Sequence, residues 1–210
     1  MRQSWVAIPW QEIYPPCLPP SCSPRSIAYC FPLLWQQNTQ RDALAAALTL
    51  DLFQRHADKV VMATLAQTVN VLHSVVLTGG ERMLLTPTYH VFDLYRSHRG
   101  GQSVRCELES DSMHKMASLH GSASVQGGVL TLSVVNLNAD SPVETEIRLR
   151  GGASREASAR VLASDNPRAH NSFEDPRRVK PRTEALVATG STFSHVFPPA
   201  SVSVIQAKLG

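Results

Sequence analysis

The sequence predicts an α/β segment followed by an all-β antiparallel sandwich, and three observations carry that reading. Arg41 to Asp58 contain no Gly or Pro, and Ala43–Phe53 (ALAAALTLDLF) is apolar nearly all round, the pattern of a helix covered on most sides. Val60–Ala66 (VVMATLA) is a short uncharged run, as expected of a parallel strand buried on both faces. From Val104 onward, short runs with alternating or β-branched character follow one another with turn residues between them and no helical period.

Residues 1–33 stand apart. They hold seven of the fourteen prolines, and Arg2, Glu12 and Arg25 are their only charged side chains. PPCLPPSCSP has too few backbone donors to join a sheet, so this prefix reads as irregular. The first helix starts at Asn38 or Thr39, with Asp42 placed to favour the positive helix end. The strand Val60–Ala66 follows, and Gln67, Thr68 and Asn70 sit at or just past its C-terminal end. Ligand-binding groups gather at that end of parallel α/β sheets, which makes Gln67 and Asn70 candidate substrate-binding residues. The bland alternative is that both amides satisfy loose backbone groups in a turn.

Val71–Leu77 is again apolar, and Gly79–Gly80 form a turn. Thr86 as N-cap with Pro87 in the first turn opens a second helix running to about His98, which Gly100 and Gly101 close. Its aromatic stripe, Phe92 and Tyr95 with Tyr89 nearby, reads as packing. The strands expected after it are Leu119–Val125, Val129–Asn136, Val143–Leu149, Ser158–Ala163, Glu184–Ala188 and Ser201–Leu209, with LTLSVVNL and VETEIRLR paired across the turn Asn138–Pro142. The organisation is thus 1–33 prefix, 34–102 α/β portion and 103–210 sandwich.

Composition bounds the function. A net charge of +3 with scattered Lys and Arg gives no case for nucleic acid, and the cluster Arg177, Arg178, Lys180, Arg182 reads as a solvated loop. No apolar run has the length of a membrane span, and the first residues lack the apolar core of a signal peptide, so a cytoplasmic location is expected. Cys17, Cys22, Cys30 and Cys106 match no zinc spacing and read as free thiols. The eight histidines show no ligand spacing, so no metal or other cofactor is expected.

WQQNTQRDALAAALTLDLFQRHADKV and MATLAQTVNVLHSVVLTGGERMLLTPTYHVFDLY resemble the last helix, strand and crossover of the catalytic barrel in glycoside hydrolase family 51, the α-L-arabinofuranosidases. LSVVNLNADSPVE and AHNSFEDPRRVKP resemble that family's C-terminal β-sandwich, so the resemblance covers roughly Leu34–Leu209. It implies the terminal βα portion of an incomplete TIM barrel followed by a sandwich of jelly-roll type. It further implies retaining hydrolysis of terminal α-L-arabinofuranosides in hemicellulose fragments, with arabinose-containing oligosaccharides as partners. The Gln of the A-Q-x-V-N motif, here Gln67, is implied to contact the bound arabinose.

Retaining hydrolysis needs two carboxyl groups about 5 Å apart. The resemblance implies a strand ending in Asp-Glu-Trp ahead of the QQN motif, its Glu being the nucleophile, and no such triplet stands there. Glu12 lacks the neighbours. Glu107, Glu109, Asp111, Glu144 and Glu146 read as solvated, Glu81 lies in a turn, and Glu174 and Asp175 with His170 and Asn171 read as a structural loop. No catalytic residue is therefore assigned. The expectation is a C-terminal portion behind an out-of-frame or mispredicted start, inactive alone and prone to self-association or homo-oligomer formation through unpaired strand edges. Two alternatives remain: a non-catalytic sandwich module for subunit contact or arabinan binding, and association with a separately encoded barrel half. Phe173, Phe193 and Phe197 are the only aromatic residues in the sandwich, a poor platform for sugar.

Overall fold

The computed structural model describes residues 38–64, 68–113 and 116–210, and these belong to one compact unit. The irregular prefix expected over 1–33 and the thiols Cys17, Cys22 and Cys30 lie outside them.

Helix α1 (Gln40–Arg55) begins where the cap chemistry places it. The Thr39 backbone N–H and hydroxyl both donate to the Asp42 carboxylate at 2.8 Å. The helix stops three residues short of Asp58, and it is covered on one side only. Ala43, Leu44, Ala46 and Ala47 are buried, whereas Ala45, Thr49 and Leu52 are exposed.

The expected buried strand after it is not formed. Val60–Thr64 belong to no strand, Val61 is 99% exposed and Met62 77% exposed, while Leu65 and Ala66 lie outside the described residues. A β ladder needs a neighbour that offers its own N–H and C=O groups. Among the described residues none flanks this run.

A hairpin follows, β1 (Val76–Gly79) with β2 (Arg82–Leu85), turning at Gly80, whose φ is +60°. Helix α2 (Pro87–Tyr95) starts as read, with the Thr86 hydroxyl accepting from the Tyr89 N–H at 3.3 Å. It gives way at Arg96–His98 to a 3₁₀ turn, so the α-helix is shorter than expected.

Beyond it the regular elements among the described residues are all strands. Strands β3 (Gln102–Val104), β6 (Leu119–Gln126), β7 (Val129–Asn136), β9 (Ser154–Leu162), β10 (Arg182–Leu186) and β12 (Ser201–Leu209) form an antiparallel sheet in the order β10-β9-β12-β7-β6-β3. Gly127 and Gly128, both at positive φ, make the two-residue turn that joins β6 to β7. Strand β8 (Val143–Arg148) pairs with β11 (Thr192–Phe197), and two short strands, β4 (Ser112–Met113) and β5 (Met116–Ala117), pair with each other.

The expected pairing of LTLSVVNL with VETEIRLR is therefore wrong. β7 lies between β6 and β12, and β8 belongs to the other sheet. Asn136 shows why the chain leaves the sheet there: its amide donates to the carbonyls of Phe197 (3.1 Å) and Pro198 (2.9 Å), tying the end of β7 to the β11–β12 turn. Strand β11 was not anticipated, although Phe193, His195 and Phe197 alternate inward with exposed Thr192, Ser194 and Val196.

Alternation along the strands gives the large sheet two packed faces. On one, Leu132 and Val134 of β7, Ala157, Ala159 and Val161 of β9, and Ile205 of β12 meet Ile147, Phe193 and Phe197 of the β8–β11 pair. On the other, Val135, Leu162, Val202 and Val204 meet Ala43, Ala46 and Ala47 of α1 and Val91 and Leu94 of α2. Each residue in these clusters removes apolar area from water at about 25 cal/mol per Å². Arg160 of β9 holds Asp93 of α2 at 2.7 Å, and this guanidinium keeps the Asp93 carboxyl below its usual range.

Candidate functional site

Asn70 lies in the segment Thr68–Thr78, whose backbone is heavily constrained. The Thr68 carbonyl accepts from the N–H groups of Val75 (3.2 Å) and Val76 (3.1 Å), and Asn70 N–H donates to the Val76 carbonyl at 3.1 Å. Val69 and Val76 form a parallel bridge. Asn70 and His73 both take positive φ, +54° and +57°, a conformation Asn tolerates better than most residues.

Two further contacts fix this loop to the helix starts. His73 Nε2 lies 3.0 Å from the Asp42 carbonyl in the first turn of α1, and the Thr86 hydroxyl that caps α2 donates to the Ser74 carbonyl at 2.8 Å. Thr86 N–H also donates to the Val75 carbonyl at 3.1 Å. The loop is thus held at its middle, His73–Val75, by the starts of two helices that are themselves packed on the large sheet.

Asn70 is exposed and bonded through both halves of its amide. Its Nδ2 donates to the Thr78 hydroxyl at 2.8 Å and its Oδ1 accepts from Thr78 N–H at 2.7 Å. One amide hydrogen and one lone pair remain available. Gln67, immediately before Thr68, lies outside the described residues. Chemically, carboxamides of this kind match sugar hydroxyls as neutral donors and acceptors, and neither can serve as base or attacking group.

Of the other polar residues singled out, Glu81, Glu107, Glu109, Asp111, Glu144, Glu146, Glu174 and Asp175 are all exposed. Glu107 is salt-bridged to Arg105 at 2.5 Å. Asn171 is structural: its Nδ2 donates to the carbonyls of Leu85 and Val179, both at 2.9 Å, and its Oδ1 accepts from Val179 N–H at 2.7 Å, pinning the 171–179 loop to β2. Arg177, Arg178, Lys180 and Arg182 are solvated. Phe193 and Phe197 are buried, and Phe173 lies under the Arg82 guanidinium at 4.6 Å, so none offers a free ring face for sugar stacking. Cys106 is a half-buried free thiol, raised by burial. Among the described residues no three His, Cys, Asp or Glu side chains are grouped to hold a metal ion, and no helix is long and apolar enough to cross a membrane.

The polar group that sequence reasoning missed is Asp51. It is fully buried on the inner side of α1, where the hydroxyls of Ser122 (2.8 Å) and Ser133 (2.6 Å) donate to its Oδ1. Burial pushes its carboxyl up to about 6, against the opposing pull of those two hydrogen bonds. Nearby on the same sheet face, His98 Nδ1 lies 2.8 Å from Ser124 Oγ, and burial lowers this imidazole to about 4. Both groups face the sheet and not the Thr68–Thr78 loop, so they belong to the core.

The fold has counterparts among known proteins. A family model described as the alpha-L-arabinofuranosidase C-terminal domain matches residues 23–201. An intracellular exo-alpha-L-arabinofuranosidase of Bacteroides ovatus is 38% identical over 155 residues, covering 70% of this chain and 30% of the relative. Among solved structures, the family 51 arabinofuranosidase of Xanthomonas axonopodis pv. citri aligns with a TM-score of 0.72 at 31% identity, over 83% of this chain and 36% of that one. The alpha-L-arabinofuranosidase of Thermotoga maritima, solved as an arabinose complex, aligns with a TM-score of 0.76 at 28% identity, over 82% of this chain and 39% of that one. This chain therefore spans about a third of the length of these relatives. With the family model matched over most of its length, the chain belongs to the family 51 α-L-arabinofuranosidases, of which it represents the C-terminal part.

Proposed function

We propose that this chain is the sugar-holding C-terminal part of an α-L-arabinofuranosidase acting by retention on terminal α-L-arabinofuranosides of hemicellulose fragments. In this reading α1 and the Thr68–Thr78 loop are the last units of a TIM barrel and the β-rich remainder is its jelly-roll sandwich. Gln67 contacts the pentose directly. Asn70 positions that contact by locking the loop through Thr78, and offers its remaining amide hydrogen to the sugar. The attacking and proton-donating carboxylates belong to a part of the barrel that these residues do not supply. The names of the Bacteroides ovatus relative and of one from Streptomyces lividans, both called intracellular, support a cytoplasmic setting.

The observation that carries the reading is the anchoring of the loop to both helix starts, through His73 to Asp42 and Thr86 to Ser74. It holds Asn70 and the loop around it in one geometry before any ligand arrives, which reduces the ordering entropy of binding. The test is an NMR titration of the isotope-labelled chain with arabinotriose and, in parallel, xylotriose. Shift changes confined to the amides of Thr68–Thr78, produced by arabinotriose only and lost in Gln67→Ala, are expected. Equal responses to both sugars, or none up to the solubility limit, contradict the assignment.

A further inference from the structure

The connection from β9 to β10, residues 163–181, forms no helix or strand of its own. Segments longer than about 12–15 residues without regular structure are uncommon inside a compact unit and usually serve a purpose. This one is fixed along its length. The carbonyls of Pro167 and Ala169 accept from the backbone N–H groups of Arg41 (2.9 Å) and Gln40 (2.8 Å), and His170 bridges to Thr39, all at the start of α1. That helix start is the one that holds His73. Further on, Asn171 ties the connection to Leu85 at one end of the β1–β2 hairpin, and Phe173 reaches the other end.

There the Phe173 ring lies against Gly79, so close that a Cβ on Gly79 would stand 3.2 Å from the ring carbon Cζ. The guanidinium of Arg82, cross-strand partner of Gly79, stands over the same ring at 4.6 Å from its centre. One side chain from the sandwich thus grips both strands where the hairpin turns. Next to Gly79 is Thr78, whose hydroxyl accepts from the Asn70 amide and whose N–H donates to it.

A two-stranded hairpin is marginal in water without outside support, and these strands have only four residues each. Asn70 is held at a φ of +54°, a backbone conformation that persists only where the surroundings impose it. The two bonds to Thr78 impose it, and they last only while the end of β1 stays in place.

We propose that Phe173 is a positioning residue for Asn70: packed against Gly79 and Arg82, it keeps β1 where Thr78 can fix the amide. The sandwich thereby shapes the Thr68–Thr78 loop from outside. What Asn70 does for a pentose rests on the proposed function, whereas its support by Phe173 does not.

The experiment compares the isotope-labelled parent chain with Phe173→Ala and Phe173→Met by NMR, with and without arabinotriose. In Phe173→Ala the Asn70 side-chain amide signals are expected to move toward those of a solvated amide, and the Thr78 N–H to exchange about tenfold faster. Arabinotriose affinity is expected to fall about fivefold. The amides of Val134 in β7 and Ile205 in β12 keep the parent exchange rate. Phe173→Met, unbranched and able to fill the space against Gly79, restores the Asn70 and Thr78 signals. Asn70 and Thr78 signals unchanged in Phe173→Ala, faster exchange shared equally by Val134 and Ile205, or no recovery in Phe173→Met would each overturn the proposal. Signals that change as described, with arabinotriose affinity equal in all three proteins or no binding by any, preserve the role of Phe173 and count against the proposed function alone.

Discussion

Gly121→Ala is expected to destabilise the fold by about 3 kcal/mol or more, lowering Tm by roughly 6–12 °C for a unit of this size. Gly121 lies in β6 opposite Val134 of β7, and a Cβ there would overlap the Ser133 carbonyl oxygen and stand 3.1 Å from Leu108 Cδ1. The first obstacle is backbone in the neighbouring strand, so no rotamer change relieves it. Separating the strands would disturb the pairing from Leu119–Asn136 to Gln126–Val129 and displace the Ser133 hydroxyl from Asp51. Urea denaturation with unchanged m-value and a lowered midpoint checks this. A midpoint within error of the parent would show that β6 and β7 yield more easily than their register implies.

The second large effect is on the pH dependence of stability, where Asp51 and His98 act in opposite directions. Asp51 titrates near 6 in the folded chain against 3.8 when free, so between those values the folded state binds more protons. Its contribution falls by about 3 kcal/mol as pH rises through that window. His98 titrates near 4 against 6.5 when free, so the unfolded chain takes up the proton first, and stability is lost as pH falls from 6.5 to about 4, again by about 3 kcal/mol. His90 and His195, both lowered by burial, add to the loss on the acid side.

The parent is therefore expected to lose modest stability between pH 6.5 and 4. Asp51→Asn, which retains an oxygen to accept from Ser122 and Ser133, should steepen that loss by about 3 kcal/mol. His98→Asn should reduce or reverse it. Chemical denaturation at several pH values measures both slopes, and parallel profiles for all three proteins would contradict the buried, opposed titrations.

Local chemistry made much of this legible in the sequence. The starts of α1 and α2 follow from Thr39 with Asp42 and from Thr86 with Pro87, whose interactions span three residues or fewer. Strands β7 and β12 carry their own boundaries in turn residues and composition, and their observed limits coincide with those expected. The partners were not legible. The connection after Asn136 reads equally as a hairpin or as a crossover, and the decision rests on Phe197 and Pro198, 61 and 62 positions away. Asp51 looks like a polar break in an apolar helix because Ser122 and Ser133 lie 71 and 82 positions further on.

Val60–Thr64 teaches a related lesson. Its composition states what the segment requires, a neighbour on each side, and not whether the chain provides one. For the site, position alone made Gln67 and Asn70 candidates of equal rank, and only the likeness to a family motif separated them. The bonding of Asn70 to Thr78 was within reach of neither, since the residue's positive φ and the β1 register together create it.

In the proposed function these residues hold an arabinofuranosyl group while the attacking carboxylate is not among them. Hydrolysis of an aryl α-L-arabinofuranoside by the purified chain alone, against a mock purification from cells lacking the gene, tests this. Release of the aryl group at the rate of the mock sample is the predicted result. Release that exceeds the mock rate, scales with chain concentration and follows the chain through size exclusion would contradict the claim.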